Sequence, residues 1–207
     1  LQKLLVDSAA LTAQMSDDLG GGFDLTHQGC LMLCKSEATV KHEIENVKLA
    51  ESFGMNAEWC SANDLEKMEP GLGLDCKGGA WFHDDAHLHP AKWARILVDW
   101  LRKGSVKFVE SKLIGFETRG SKVHAAICQD KHIPLDHIII ANGSRMPELI
   151  RKLNQHCFIV PGKGYSFEYE DLNLNLRYPS ILVDHRVATT PLGSWLRIGG
   201  TMEISGH

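Results

Sequence analysis

Up to Gly104 the apolar positions of this chain recur every three or four residues; beyond Gly104 they recur about every two. The first regime predicts helices. Val40, Ile44, Val47 and Ala50 share one helical face behind Ser36, a residue type suited to capping, and Gly54 stands as the stop. Ser61 and Asp64 have the spacing of a capping box and open a short helix that ends at Glu69 and Pro70. The strongest pattern is residues 90–104. Pro90 lies in its first turn, Trp93, Ile96, Leu97, Trp100 and Leu101 form one stripe, Arg102 and Lys103 close it, and Gly104 stops it. That stripe predicts a helix packed on a core, with both tryptophans inside it. Leu1 to Met15 reads as a helix entered in its middle. Together with a strand pattern that runs to the last residue, 207, this leads us to expect a piece of a longer protein.

In the second regime, residues 106–110 (VKFVE), 113–118 (LIGFET) and 123–128 (VHAAIC) predict a small antiparallel meander that turns at Arg119, Gly120 and Ser121. Residues 138–141 (IIIA) are continuously apolar and predict a strand buried on both faces. Pro147 marks a following helix. Residues 157–160, 165–169, 181–183 and 195–198 read as further strands, and Pro191, Leu192 and Gly193 as the turn joining the last two. Helices first and strands afterwards predict an α+β fold with a mixed or antiparallel sheet, not a regular βαβ series.

Composition narrows the function classes. With 43% hydrophobic and 23% charged residues over 207 positions, the chain has an ordinary globular composition. A net charge of −4 with scattered cations leaves no footprint for a nucleic-acid backbone, so no nucleic-acid partner is expected. Apolar runs fall far short of the roughly 20 residues of a membrane-spanning helix, and no signal core opens the chain, which points to a cytoplasmic setting. The six cysteines are widely spaced without a CxxC pair and read as reduced, packed thiols.

Chemistry is sparse. Gly71 with Gly73, and Gly162 with Gly164, each lack the third glycine of a dinucleotide fingerprint; Walker A, HExxH and GxSxG are absent. His83, His87 and His89, with Asp84 and Asp85 among them, form the densest set of metal-ligand types. A metal-dependent hydrolase is therefore one alternative. No distant Cys or His group completes a shell, so the segment reads first as a polar loop capping the next helix, and no metal site is assigned. Asn142, Gly143 and Ser144 match a glycosylation pattern that is idle without a secretion signal. Gly143 would also let main-chain atoms approach a flat ligand, although a plain turn explains the same residues.

Six segments taken in order resemble one family, the FAD-dependent D-amino-acid oxidase and dehydrogenase superfamily with its glycine-oxidase-like members, and within it the D-amino-acid dehydrogenases most closely. They are QGCLMLC (28–34), LEKMEPGL (65–72), GGAWFHDDAHLHP (78–90), HIIIANGS (137–144), PGKGYSFEY (161–169) and TTPLGSWLRIGGTMEISG (189–206). The resemblance implies that residues 1–105 carry the helical part and first strands of a substrate domain. Residues 106–145 would be the meander and last strand of an FAD-binding domain, and 146–207 the remaining substrate-domain strands, which roof the flavin ring. It places Leu113 along the adenine and Ala141, Asn142, Gly143 and Ser144 near the pyrophosphate. Tyr165, His185 and Thr190 would line the substrate pocket. The N-terminal glycine fingerprint is missing, as are the C-terminal glycine-rich contact and the arginine that holds a substrate carboxylate. Ala188, Thr189 and Thr190 stand where glycine-oxidase-like members place a tyrosine. The chain is thus expected to be an internal fragment, inactive and without FAD by itself. The parent enzyme would pass a hydride from the α-carbon of a D-amino acid or small amine to the flavin, the imine hydrolysing to a 2-oxo acid and ammonia. Oxygen or a quinone would accept the electrons, the latter placing the parent at the inner face of a membrane. A 2-hydroxy-acid oxidoreductase of the same architecture is the second alternative.

Overall fold

The computed structural model describes residues 2–170, 172 and 174–204; Leu1 and the strand pattern over residues 205–207 lie outside them. The chain divides into two compact units, Leu1–Ser105 with Gly164–Thr201, and Val106–Lys163 with Met202–His207. The first unit opens with helix α1 (Gln2–Leu19), strand β1 (Cys30–Cys34), α2 (Glu37–Ser52), β2 (Ala57–Ser61), α3 (Ala62–Met68), β3 (Gly78–Phe82) and α4 (Pro90–Lys103). The second holds β4 (Leu113–Arg119), β5 (Lys122–Cys128), β6 (His132–Pro134) and α5 (Met146–Arg151). The chain then supplies the first unit with β7 (Lys163–Glu170), β8 (Ser180–Leu182), β9 (Val187–Leu192) and β10 (Trp195–Glu203).

In the first unit a seven-stranded mixed sheet runs in the order β2-β3-β1-β8-β9-β10-β7. β1 pairs antiparallel with β3 and parallel with β8. Alternation along the strands sends side chains to two cores. Leu31, Leu33 and Cys60 pack with Leu65 of α3 on one face; Ala57 and Ala80 pack with Val47 and Ala50 of α2 on the other. The helix ends follow their caps. The Ser36 hydroxyl accepts from Thr39 N at 3.2 Å, and Ser61 and Asp64 close a full capping box. In the second unit β4-β5-β6 form the antiparallel meander, with bulges in the β4–β5 ladder. The α+β class, a mixed sheet with a separate meander, agrees with the sequence reading. All six cysteines are free, and burial pushes the Cys30, Cys34 and Cys60 thiols up to about 11, which leaves them weak nucleophiles. No described helix is long and apolar enough to cross a membrane.

Several expectations are corrected. No residue of α4 is fully buried, and Trp100 is 57% exposed. α2 and α3 occupy the sheet while α4 meets α1, with Ile96 against Gly22, so its stripe has no sheet to lie on within this unit. His89 is the N-cap of α4, yet its side chain makes no capping bond. Residues 106–110, 138–141 and 157–160 join neither sheet. Ile139 and Phe158, expected inside strands, are 91% and 97% exposed. Strand patterning alone does not make a strand; a ladder partner must be present. The expected turn at Pro191 to Gly193 is two residues of strand and one of turn. β9, unread in the sequence, runs to Leu192, which pairs with Trp195, so the hairpin turns at Gly193 and Ser194. β1, β2, β3 and β6 likewise leave no clear pattern in the sequence. The first three span five residues each, and β6 three, too short for periodicity to separate from loop.

Candidate functional site

After β8 the chain makes a short 3-10 turn, Val183–His185, and Arg186 takes the left-handed conformation with φ 54° before β9 begins. This turn is fixed by Asp184. Its carboxylate accepts from Lys35 N at 2.8 Å, Ser36 N at 3.2 Å and the Thr39 hydroxyl at 2.9 Å, all at the N-terminus of α2. Those donors favour the charged form and hold its pKa down, at about 2. The stability Asp184 contributes is therefore complete above its ordinary pKa of 3.8 and is lost as pH falls toward about 2. Asp184→Ala is expected to speed amide exchange in the first turn of α2. The difference in stability between the two proteins should vanish on acid titration through that window, as followed by circular dichroism.

Beside the turn, His185, Lys35, Leu33, Leu74, Cys76 and Leu182 line a cavity of about 240 Å³. Its walls are mostly apolar, and Lys35 is ion-paired to Asp75 on its rim. Thr190 stands on β9 directly opposite Arg197 of β10. Arg197 in turn donates to the Ser166 hydroxyl at 3.4 Å and lies 4.0 Å from the Glu168 carboxylate, both on β7. Ser166 and Glu168 therefore share a sheet face with Arg197 and Thr190. Strand alternation puts Tyr165, Phe167 and Tyr169 on the other face. The structure thus does not bring Tyr165 and Thr190 together: they lie on opposite faces of one sheet. Phe167, unread as a site residue, is 66% exposed between two half-exposed tyrosines and extends their aromatic row. Its period-two spacing with Tyr165 and Tyr169 was the available signal. Ile198 and Gly200 of β10 share the aromatic face by the same alternation, and Gly200 is without a side chain.

In the second unit Leu113 opens β4, half-buried opposite Cys128. Ala141, Asn142, Gly143 and Ser144 stay together in one exposed turn, where Asn142 caps a 3-10 turn running from Gly143 to Arg145. Gly143 has φ +54°, and a Cβ there would meet nothing within 4 Å. The main chain is open to an approaching group at this point.

The histidines have separate partners. His83 bonds Glu58 at 2.9 Å and stacks on Trp81, ring centroids 3.8 Å apart. His87 Nε2 donates to the Pro191 carbonyl at 3.2 Å, and burial draws its pKa below the ordinary value. Among the described residues no three His, Cys, Asp or Glu side chains gather as metal ligands.

Residues 1–207, the whole chain, match the family model described as FAD dependent oxidoreductase. A D-amino acid dehydrogenase of Granulibacter bethesdensis is 27% identical over 204 residues, 93% of this chain and 48% of that protein. One of Helicobacter pylori is 25% identical over 168 residues, 76% of this chain and 41% of that protein. The chain spans about half the length of the curated relatives it matches. In fold it is similar to glycine oxidase from Geobacillus kaustophilus, with TM-score 0.87 at 17% identity over 97% of this chain and 55% of that one. L-Proline dehydrogenase from P. horikoshii follows at TM-score 0.82 and 15% identity, over 97% of this chain and 55% of that one.

Proposed function

This chain belongs to the FAD-dependent oxidoreductase family, and on that premise we propose that it is the middle, mainly substrate-binding portion of an enzyme that oxidatively deaminates D-amino acids or small amines. The observation that carries this reading is the 27% identity to a D-amino acid dehydrogenase along 93% of the chain. Residues 1–105 and 164–201, the first unit, would supply the substrate domain, and residues 106–145, within the second unit, part of the FAD-binding domain; residues 146–163, expected with the substrate-domain strands, fall in the second unit.

Two features fit FAD. The open turn at Gly143 suits an anionic, main-chain-bound group, and the aromatic row on β7 suits a flat ring. Ala141, Asn142, Gly143 and Ser144 would hold the pyrophosphate and Leu113 the adenine. When bound, FAD supplies the hydride acceptor. The chain's own residues then orient and exclude water. Tyr165 and Phe167 make an apolar cover, and Asp184 holds the turn carrying His185 in place. Thr190 faces Arg197 on the far side of the sheet, so of the three pocket residues Tyr165 and His185 are retained as candidates. Electrons leave to oxygen or to a quinone at the inner face of a membrane.

The test is anaerobic mixing of the purified parent protein with D-alanine or 2-hydroxyglutarate while flavin absorbance is read. Bleaching by D-alanine, with release of ammonia, is the expected outcome. Bleaching by the hydroxy acid alone replaces this reading with the 2-hydroxy-acid oxidoreductase. Oxygen uptake in air then separates the two acceptors.

A further inference from the structure

Asparagine is a thermolabile residue type, and Asn142 is the only asparagine of the chain that precedes a glycine. Both residues are exposed, and the Asn142 side chain makes no capping bond to the 3-10 turn that it opens. Its amide is open to solvent. The turn is held by Arg145 N on the Asn142 carbonyl at 3.2 Å and by Met146 N on the Gly143 carbonyl, while Gly143 N donates to no acceptor among the described residues. Gly143 has φ +54°, and a Cβ there would meet nothing within 4 Å. Rotation that brings Gly143 N against the Asn142 side chain therefore meets neither a neighbour nor a side chain of its own. Other asparagines are held. Asn46 and Asn63 lie within α2 and α3, where the helical ladder fixes the main chain, and Asn56 N is bonded to the Asp84 carboxylate at 2.8 Å.

We infer that Asn142 is a site of spontaneous modification, at which the exposed turn loses ammonia through a succinimide and becomes aspartate or isoaspartate. Gly143 N gives up its proton to the solvent and attacks Asn142 Cγ. The N–Cγ bond forms, the Cγ–Nδ2 bond breaks, and the amide nitrogen takes a proton and leaves as ammonia. Water then opens the ring at either carbonyl. No electrons are transferred, and water is the co-reactant. The product carries a carboxylate where the amide stood, and in isoaspartate the main chain runs through the side-chain carbon. Either product places a negative charge in the turn proposed to receive the pyrophosphate, where like charges repel. That consequence rests on the FAD reading; the modification rests on the turn alone. An enzyme left without flavin would lose with time the ability to take it up.

The test holds the purified parent protein, stripped of flavin, in mildly alkaline buffer. After digestion with trypsin, mass spectrometry follows the peptide of residues 132–145, bounded by Lys131 and Arg145. The mass gain of amide-to-acid conversion should accumulate there faster than at any other asparagine. It should be lost in Asn142→Gln, whose longer side chain has a larger ring to close. A peptide that keeps its amide as long as the other asparagines keep theirs overturns the inference, as does equal conversion in Asn142→Gln. With FAD added at about 100 times its Kd, the uncovered turn becomes about 100-fold rarer and conversion should slow in proportion. Flavin absorbance is read on the same sample. Conversion that ignores bound flavin keeps the modification and removes residues 141–144 from the flavin contact, and a parent that binds no flavin removes the functional reading alone. A flavin-binding parent whose stripped form never converts does the reverse.

Discussion

Replacing Glu69 by alanine is expected to destabilise the first unit by about 2–4 kcal/mol. Glu69 follows α3 and is 1% exposed. Its carboxylate accepts from Arg177 N at 2.9 and 3.0 Å and from Tyr178 N at 2.7 Å, and so holds the chain that enters β8. β8 is the strand that joins β1 to the β9–β10 hairpin, so the bonds tie the helix-covered half of the sheet to the half bearing the aromatic row. Burial raises the Glu69 pKa, and the backbone donors work against that rise. Alanine removes the acceptor and leaves the Arg177 and Tyr178 main-chain N–H groups without it in a part-buried place. Glutamine keeps one carbonyl oxygen and should cost less than half as much. Urea unfolding measures both: the midpoint should fall in the order wild type, Glu69→Gln, Glu69→Ala with the slope unchanged. An alanine variant within about 0.5 kcal/mol of wild type would show that the chain before β8 is held by something else.

Glu69 also illustrates what the sequence does not disclose. Nothing in LEKMEPGL distinguishes it from Glu66, because its partners lie 108 and 109 positions later. Asp184 is the same case, acting on the start of α2 from 149 positions away. What is legible is local. The caps at Ser36, Ser61 and Gly104 and the stripe of α4 locate their helices because each signal lies within one or two turns of the residue it governs. Two strands of the meander, β4 and β5, are legible for the same reason, being neighbours joined by a short turn, whereas its third strand is β6 and not residues 106–110. Residues 106–110 and 138–141 mislead because apolar patterning does not by itself make a ladder, and among the described residues they join none. At the candidate site, the turn at residues 141–144 is visible as a unit in the sequence. The separation of Tyr165 from Thr190 is not, because face assignment depends on the pairing of β9 with β10 and on the contacts between β10 and β7.

Gly78→Ala is expected to cost about 3 kcal/mol and to lower the melting temperature by about 6–12 °C. Gly78 opens β3, which lies between β1 and β2. Its φ is +153°, a region that side chains with a Cβ rarely enter, and a Cβ there would sit 2.5 Å from Trp59 Cζ2 and 2.7 Å from the Cys60 carbonyl. The indole alone can swing away, but a carbonyl in the β2 ladder moves only with its strand. Gly79 is equally confined, its added Cβ 2.9 Å from the Met32 carbonyl on the opposite edge. The two glycines therefore let β2 and β1 close on β3 from both sides, and the two cores under α2 and α3 depend on that closure. Gly115→Ala is the control. A Cβ at Gly115 meets nothing within 4 Å and its φ is not positive, so the melting temperature should stay within about 2 °C of wild type. The Trp59 indole N–H resonance gives a local readout: alanine at position 78 should shift it, and alanine at 115 should leave it unchanged. If both variants melted with wild type, the strands around β3 would have more room than these distances allow, and the sheet would not be set by main-chain contact at Gly78.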